Sequence, residues 1–388
     1  RLVELFSSTD SGAGLSGSGV GSGKAQPLDS KVLTSTGFVR MGDIKVGDSV
    51  IDPDGGESLV IGVFPQGKRP VYRVTLVDGR EVLADEEHLW VVNSDKERLA
   101  GNPNKVMTTL ELIKTDLSMT SKKSNWSIPP ITPPDLGVWS STLDPYLLGS
   151  LLGDGSTRGG VVGFSTGDEE SVEEVRRLLP EGVHMRKTGL YDYALTTGKG
   201  GRPGRNPITS EMRRLGLMGK YSTEKWIPRE LMHVSARDRL ALLQGICDTD
   251  GSAGRTGRAV DLVLGSEQLV DDVIWLARSL GGKANKTTKL TKYKNEMRTY
   301  YRTRFVLPEE LMPFRLTRKI EAFAVDGKYS LKSLPIRSID YVGEMETQCI
   351  SVESENRQYV TDGFTRTHNT LVAVRTVAER KPERLLII

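Results

Sequence analysis

A chain of 388 residues with 37% hydrophobic and 27% charged side chains has the composition of an ordinary globular protein of two to three domains that can bury several cores. Its net charge of +3 is too small to imply nucleic-acid binding by itself, and no apolar run approaches the roughly 20 residues of a membrane helix. Two Cys, Cys247 and Cys349, imply a reducing interior without a disulfide framework, and with no charged-then-apolar leader the expected location is the cytoplasm, without membrane attachment.

In chain order, Arg1–Lys24 opens with a short apolar segment and becomes Gly/Ser-rich. From about Val32 to Asn93 the text is β-like. Ser49-Val50-Ile51 precedes the turn Pro53-Asp54-Gly55-Gly56, and Val71–Leu76 precedes Asp78-Gly79. A polar, Pro-rich stretch runs from about Ser94 to Pro134. After Asp144, apolar helical segments alternate with basic, Tyr-rich strands to roughly Leu334. From Ile336 to Asn369 the β text returns, as in Gln348–Val352 and Gln358–Thr361. The expected fold is multidomain: an all-β module interrupted by an α/β module.

The ends of this nested arrangement carry a broken motif. Ser18–Lys24 reads as a phosphate-binding loop, in which Gly lets the backbone wrap phosphates, Lys reaches the β/γ-phosphates and a following Ser or Thr holds Mg²⁺. Ala25 cannot be that ligand. Far downstream stands Thr367-His368-Asn369-Thr370 before an apolar run. Joining Lys24 to Thr370 restores S-G-V-G-S-G-K-T, with Gly23, Lys24 and Thr370 as the nucleotide-binding residues. Residues 25–369 therefore read as an insert that removes itself.

The residues at the insert's edges resemble the intein family of self-splicing elements. Leu28–Leu33 with Met41–Asp48 is similar to its N-terminal block, Gly79–Trp90 to the block carrying the N-junction histidine, and Gln348–Phe364 with Thr367–Thr370 to the C-terminal blocks. The resemblance implies a horseshoe-like (Hint) splicing domain that needs no cofactor. The Asn369 side-chain amide can attack its own carbonyl and cut the chain as a succinimide, and His368 can protonate the departing amine. Thr370 can carry an acyl group as an ester and then pass it to its own amine.

The remaining need is a nucleophile to open the Lys24–Ala25 bond, and Ala25 has none. Either Ala25 replaces a native Cys in a trapped class 1 precursor, or another residue attacks. Trp90, two residues after His88, together with Cys349 and Thr367, resembles the class 3 signature, which favours the second reading. That resemblance implies attack by Cys349 on Lys24, a branched thioester, transfer to Thr370 and cyclisation of Asn369. Taken singly, a strand Cys is commonly a packing residue and a Trp a core residue; their joint appearance at the broken loop is what carries the reading. One departure stands out: the position three before His88, often Thr in the family, is Asp85, which would either orient His88 or face solvent.

Within the interrupting module, Leu147–Gly155 and Leu243–Gly251 both end in an acidic-glycine pattern and resemble the LAGLIDADG motif of homing endonucleases. Gly149 and Gly245 would let two helices approach closely, with the glycine after each Asp stopping its helix in a left-handed conformation. Asp154 and Asp250 would then meet, where Mg²⁺ can bind oxygen ligands. Metal held at a scissile phosphate activates water. Glu224–Pro228 resembles the K-x-I-P block and makes Lys225 a candidate site lysine. Two basic, aromatic stretches, Met185–Arg205 and Lys283–Arg304, could track the phosphates of double-stranded DNA, the intein-free host gene being the implied target. Strand alternation puts Arg302 and Arg304 on one face. The bland alternatives are packed helices with Asp-Gly caps and a solvated basic face.

The expected organisation is a host fragment at 1–24, a splicing domain at 25–134 and 336–369, an endonuclease at 135–335 and a second host fragment at 370–388, with a monomer as the expected state. The flanks, 24 and 19 residues long, resemble the looser phosphate loop and following strand of a superfamily-two, Swi/Snf-like helicase, so ATP is expected only for the spliced host. A P-loop ATPase with a non-splicing insertion is the third reading.

Overall fold

The computed structural model describes residues 24–115, 117, 126–198, 206–254, 258–293, 296–324, 331 and 333–369. Thr370, Gly23 and the rest of the phosphate loop, the Lys199–Arg205 run, Lys294 and the Arg384–Ile388 tail lie outside them. The chain divides into two compact units, one of residues 1–131 with 333–388 and one of Thr132–Lys332.

The first unit begins with β1 (Gln26–Pro27), β2 (Lys31–Thr34), β3 (Gly37–Arg40) and β4 (Ser49–Ile51). The 20-residue β5 (Glu57–Leu76) follows, and its first half alternates exposed and buried side chains as a half-buried strand requires. Gly79, at φ +81°, closes the turn into β6 (Glu81–Asp85). After β7 (Leu89–Val92) the polar stretch is more structured than its composition suggests. It holds α1 (Asp95–Leu99), β8 (Lys105–Thr108), α2 (Thr109–Ile113) and β9 (Ser127–Ile128). The reason is local: Ser94 with Glu97 and Thr108 with Glu111 form two capping boxes, which tie down orphan N–H groups at each helix start.

The second unit repeats one pattern twice. Its first half runs α3 (Pro145–Gly153), β10 (Gly155–Ser156), β11 (Gly163–Ser165), α4 (Glu169–Arg177), β12 (His184–Lys187), β13 (Asp192–Thr196) and α5 (Pro207–Arg214). After the short α6 (Arg229–Met232), the second half runs α7 (Ala236–Asp250), β14 (Gly251–Ala253), β15 (Val260–Leu264), α8 (Glu267–Ser279), β16 (Lys283–Tyr293), β17 (Glu296–Val306) and α9 (Thr317–Ala324). The sheet orders match position for position, β10-β11-β13-β12 and β14-β15-β17-β16. Leu147, Leu148, Leu151, Leu242, Leu243 and Ile246 of the two central helices lie in its core.

The chain then returns to the first unit through β18 (Leu334–Val352), β19 (Gln358–Thr361) and β20 (Thr365–His368). β18 pairs antiparallel with β5 along most of its length, and four register shifts bend the ribbon. The sheet path is β1-β18-β5-β4-β2-β19-β20-β7-β8, with β3, β6 and β9 attached at its sides. Val32, Val50, Val60, Ile350, Val352 and Tyr359 fill a core from strands at both ends of the sequence. The unit is thus mostly β. Among the described residues, no helix is long and apolar enough to cross a membrane.

Candidate active site

β1 pairs with β18 at Gln26↔Gln348 and Pro27↔Thr347. Extending that antiparallel register by one residue sets Ala25 opposite Cys349. On its other side Ala25 is bound to the end of β6, where the Asp85 N–H donates to Ala25 O at 2.9 Å. The Lys24–Ala25 junction is therefore flanked by Cys349 and Asp85. Lys24 itself sits at φ +153°, a region that residues with side chains rarely adopt, at a cost of order 1–3 kcal/mol.

His88 is fully buried, with Nδ1 3.0 Å from Lys24 O and Nε2 hydrogen-bonded to Thr367 Oγ1. A carbonyl oxygen can only accept, so Nδ1 carries the proton and Nε2 accepts from the Thr367 hydroxyl. Burial pulls the imidazole pKa down to about 4, opposed by the contact with Lys24 and aided by His368. His88 is thus a neutral donor aimed at the carbonyl of the junction. Its ring meets Trp90 edge-on, with centroids 5.0 Å apart. Trp90 in turn donates from Nε1 to Thr109 Oγ1 at 3.0 Å, so its indole N–H reaches neither Cys349 nor Thr367 and its ring stands behind His88.

Cys349 is buried, and its thiol donates to Asn369 Oδ1 at 3.4 Å. Burial pushes the thiol pKa up to about 12; the Lys24 charge lowers it and the Asp85 charge raises it. Asn369 is fixed by its N–H to Arg357 O at 2.7 Å. His368, paired in the ladder with Gln358 and Leu89, is half-buried, and its pKa is lowered to about 4 by burial and then by Lys24. Residues some 340 positions apart in the chain, Lys24, His88, Cys349, Thr367 and Asn369, thus share one buried site. Thr370 lies outside the described residues.

Asp85 matches neither sequence expectation. It is fully buried rather than solvent-facing. Its side chain does not orient His88; instead Oδ2 accepts the Lys24 N–H at 3.3 Å and pairs with Arg69 Nε at 2.8 Å.

In the second unit, α3 and α7 cross where Gly149 and Gly245 touch. A Cβ on Gly149 would lie 2.1 Å from Leu242 O, and one on Gly245 would lie 2.2 Å from Tyr146 O. The glycines after the acidic residues do not act as left-handed stops. Gly251 is extended at φ −84°, and Gly155 has no positive φ. Their missing side chains serve contact instead, since a Cβ on Gly155 would meet Leu151 O at 2.2 Å and one on Gly251 would meet Cys247 O at 2.7 Å.

The helix ends are closed by two buried ammonium groups. Lys225 Nζ donates to the carbonyls of Leu151, Leu152, Gly153 and Gly155 at 2.7–3.1 Å. Lys319 Nζ does the same for Cys247, Asp248 and Gly251 at 2.6–2.8 Å. Lys319 was not foreseen from sequence. Aligning the two halves would have revealed it, because each lysine follows the second hairpin of its half. Burial lowers Lys225 to about 8 against the pull of Asp250 and Asp154.

Asp154 and Asp250 share one electrostatic site at these helix ends. Asp250, solvent-accessible at its outer edge, is pushed up to about 6 by desolvation and by the Asp154 charge, with both lysines opposing. Asp154 is raised by desolvation against the same lysines. Among the described residues no group of three or more His, Cys, Asp or Glu could hold a metal ion. The basic strands are partly neutralised. Lys286 pairs with Glu267 and Asp271, and Arg302 pairs with Asp261.

No protein-family model matches the chain. It is 26% identical over 374 residues, 91% of its length, to the replicative DNA helicase DnaB of Mycobacterium intracellulare, of which it covers 60%. It is 27% identical over 286 residues to DnaB of Rhodothermus marinus, covering 70% of this chain and 28% of that one. It therefore spans less than two thirds of the length of these relatives. Among solved structures, that of the MchDnaB-1 intein overlays on 89% of this chain and all of its own, at 11% identity and a TM-score of 0.30. The gp41-1 intein overlays on 22% of this chain and 59% of its own, at 31% identity and a TM-score of 0.19.

Proposed function

We propose that this chain is a self-splicing precursor that excises residues 25–369 and joins Lys24 to Thr370 by the class 3 route. The observation that carries this reading is the convergence on the Lys24 carbonyl: a neutral, buried His88 donates to it while Cys349 stands across from Ala25 and binds Asn369. In the proposed sequence, Cys349 Sγ attacks the Lys24 carbonyl carbon. His88 Nδ1–H stabilises the oxyanion, and the bond to Ala25 breaks to leave a thioester. The Thr370 hydroxyl takes the acyl group as an ester, Asn369 cyclises and cuts the second junction, and the ester shifts to the Thr370 amine. The DnaB relatives support a helicase as host. The finer superfamily-two expectation rests on the Ser18-led loop and the tail.

The test is thiol treatment of the purified full chain beside a Cys349→Ala variant. Release of the Arg1–Lys24 segment is expected from the first and not the second. Unchanged cleavage in Cys349→Ala would sink the route, whereas a wild type inert until Ala25→Cys restores cleavage would establish the trapped class 1 reading. A stable full-length chain under both conditions would favour a non-splicing P-loop protein.

A second activity has its own support in the second unit. The duplicated halves, the glycine-mediated crossing of α3 and α7 and the coupled carboxylates Asp154 and Asp250 favour a LAGLIDADG endonuclease acting on double-stranded DNA. Two repelling carboxylates are hard oxygen donors suited to Mg²⁺, and the lack of a third side-chain ligand leaves room for water and phosphate oxygens. Asp154 and Asp250 would hold the ion, which would supply Lewis-acid stabilisation of a phosphate. Lys225 and Lys319 set the charge of that pair. DNA carrying the rejoined loop sequence should be cut on both strands with Mg²⁺, and Asp154→Asn or Asp250→Asn should abolish the cut.

A further inference from the structure

The splicing reading leaves one chemical need unmet at the N-junction. Cys349 must lose a proton to attack, and the Ala25 nitrogen must gain one to leave. Neither partner already described can serve. His88 commits Nδ1–H to Lys24 O and Nε2 to the Thr367 hydroxyl. The thiol itself faces Asn369 Oδ1, an amide oxygen and a negligible base.

Asp85 is placed differently from both. Its carboxylate Oδ2 accepts the Lys24 N–H, and its own N–H binds Ala25 O. It therefore grips both residues of the scissile peptide. Ala25 lies between it and Cys349 by strand register. The Lys24 N–H that binds Oδ2 and the Ala25 O that binds the Asp85 N–H stand on either side of the scissile bond, which brings the leaving nitrogen close to Asp85. Asp85 Oδ1, meanwhile, is buried and completes no hydrogen bond. An acceptor oxygen held dry and unpaired is costly to keep.

We propose that Asp85 is the proton carrier of the N-junction, an inference that rests on the splicing reading. Oδ1 takes the proton from Cys349 Sγ as sulfur forms its bond to the Lys24 carbon. When the tetrahedral adduct collapses and the carbon–nitrogen bond breaks, Asp85 gives that proton to the Ala25 nitrogen and returns to its carboxylate form. The balance needs no other reactant. The charged and titratable groups facing Asp85 are Arg69 on β5, Glu87, Cys349 on β18 and Tyr359 on β19. Burial raises its pKa most. The Ala25 backbone, Arg69 and the Lys24 backbone oppose this, and Glu87 adds to it. The net shift is upward, which makes Asp85 a stronger base than an ordinary carboxylate.

The experiment measures thiol-trapped release of Arg1–Lys24 from the full chain between pH 5 and 9, for wild type and Asp85→Asn. Asparagine can still accept the Lys24 N–H but cannot carry the proton. The expected loss is about 100-fold or more. The residual rate should climb tenfold per pH unit as hydroxide replaces the carboxylate, while the wild-type rate levels above the ionisation of Asp85. Retained Asn369 cleavage in the variant reports an intact site. Near wild-type release with an unchanged pH profile in Asp85→Asn overturns the proposal.

Should Asp85→Asn lose both cleavages, Arg69→Met decides. Removing that cation should move the wild-type break to higher pH, and an unmoved break overturns the proposal. Cys349→Ala run alongside separates the two readings. Normal release without Cys349 refutes the splicing route itself, whereas normal release in Asp85→Asn alone refutes only the carrier.

Discussion

His88→Phe removes the hydrogen bond that His88 donates to Lys24 O, along with the acceptor of the Thr367 hydroxyl. Phenylalanine keeps an aromatic ring edge-on to Trp90, where the centroids now sit 5.0 Å apart, but removes the donor placed 3.0 Å from Lys24 O. Loss of one preorganised oxyanion donor costs roughly 100- to 1,000-fold in rate. The His88 donor is neutral, because its pKa of about 4 keeps the ring uncharged above that pH, so the low end applies, about 100-fold or roughly 2.7 kcal/mol of barrier. The assay is the rate of thiol-induced release of Arg1–Lys24, with Asn369 cleavage as the internal control for the fold. Release within threefold of wild type, with Asn369 cleavage intact, refutes the assigned role. A His88 ring that titrates by NMR near 6.5 refutes the neutral-donor argument independently.

Further outcomes follow from the same geometry. Because the folded pKa of His88 is lowered from 6.5 to about 4, the unfolded chain binds the extra proton between those values. Stability of the β unit is therefore unaffected above about pH 6.5 and falls as pH drops toward 4, by about 3 kcal/mol in full from this residue; denaturant midpoints against pH, flatter in His88→Gln, check this. Gly245→Ala places a Cβ 2.2 Å from Tyr146 O. It should destabilise the second unit by about 1–3 kcal/mol, read as faster amide exchange in α3 and α7. Lys225→Met and Lys319→Met should each cost that unit about 1.5–3 kcal/mol, the range for hydrogen bonds from a charged donor, and the two losses should be similar. Asp154→Asn should bring Asp250 down from about 6 toward an ordinary carboxyl pKa, measurable by NMR titration, because the Asp154 charge is one of the forces that raises it.

The sequence was most legible where chemistry demands particular residue types at particular places. Lys24, His88, Cys349 and Asn369 could be named from the broken loop and the block order, and the structure puts them in one buried site. The alternation of β5 and the Asp78-Gly79 turn were likewise readable, because strand period and turn chemistry are local properties. What escaped notice was set by packing. Asp85 could not be assigned, since burial and the Lys24 N–H decide its role and neither leaves a mark on a single sequence. Thr109 sat in a stretch dismissed as polar and Pro-rich, although the capping boxes at Ser94 and Thr108 were there to be read. The glycines after Asp154 and Asp250 were correctly singled out, but their reason is steric contact with helix carbonyls rather than a left-handed turn. The Lys286 and Arg302 charges are met by carboxylates from neighbouring elements, a pairing that only the three-dimensional arrangement creates.

The small pairing of β9 with the start of β18 has a consequence for how this chain could change over time. Ile128 faces Leu334 and Ser127 faces Pro335, so the points where the chain leaves and re-enters the β unit are already hydrogen-bonded neighbours. The intervening unit, Thr132–Lys332, thus behaves as a cassette hung from a closed seam. Because closure cost grows only slowly with the length of the intervening chain, a tight turn or a whole domain can occupy the same gap. The strands that position Lys24, Cys349 and Asn369 all belong to the β unit, so loss or acquisition of the intervening unit is expected to leave those residues in place.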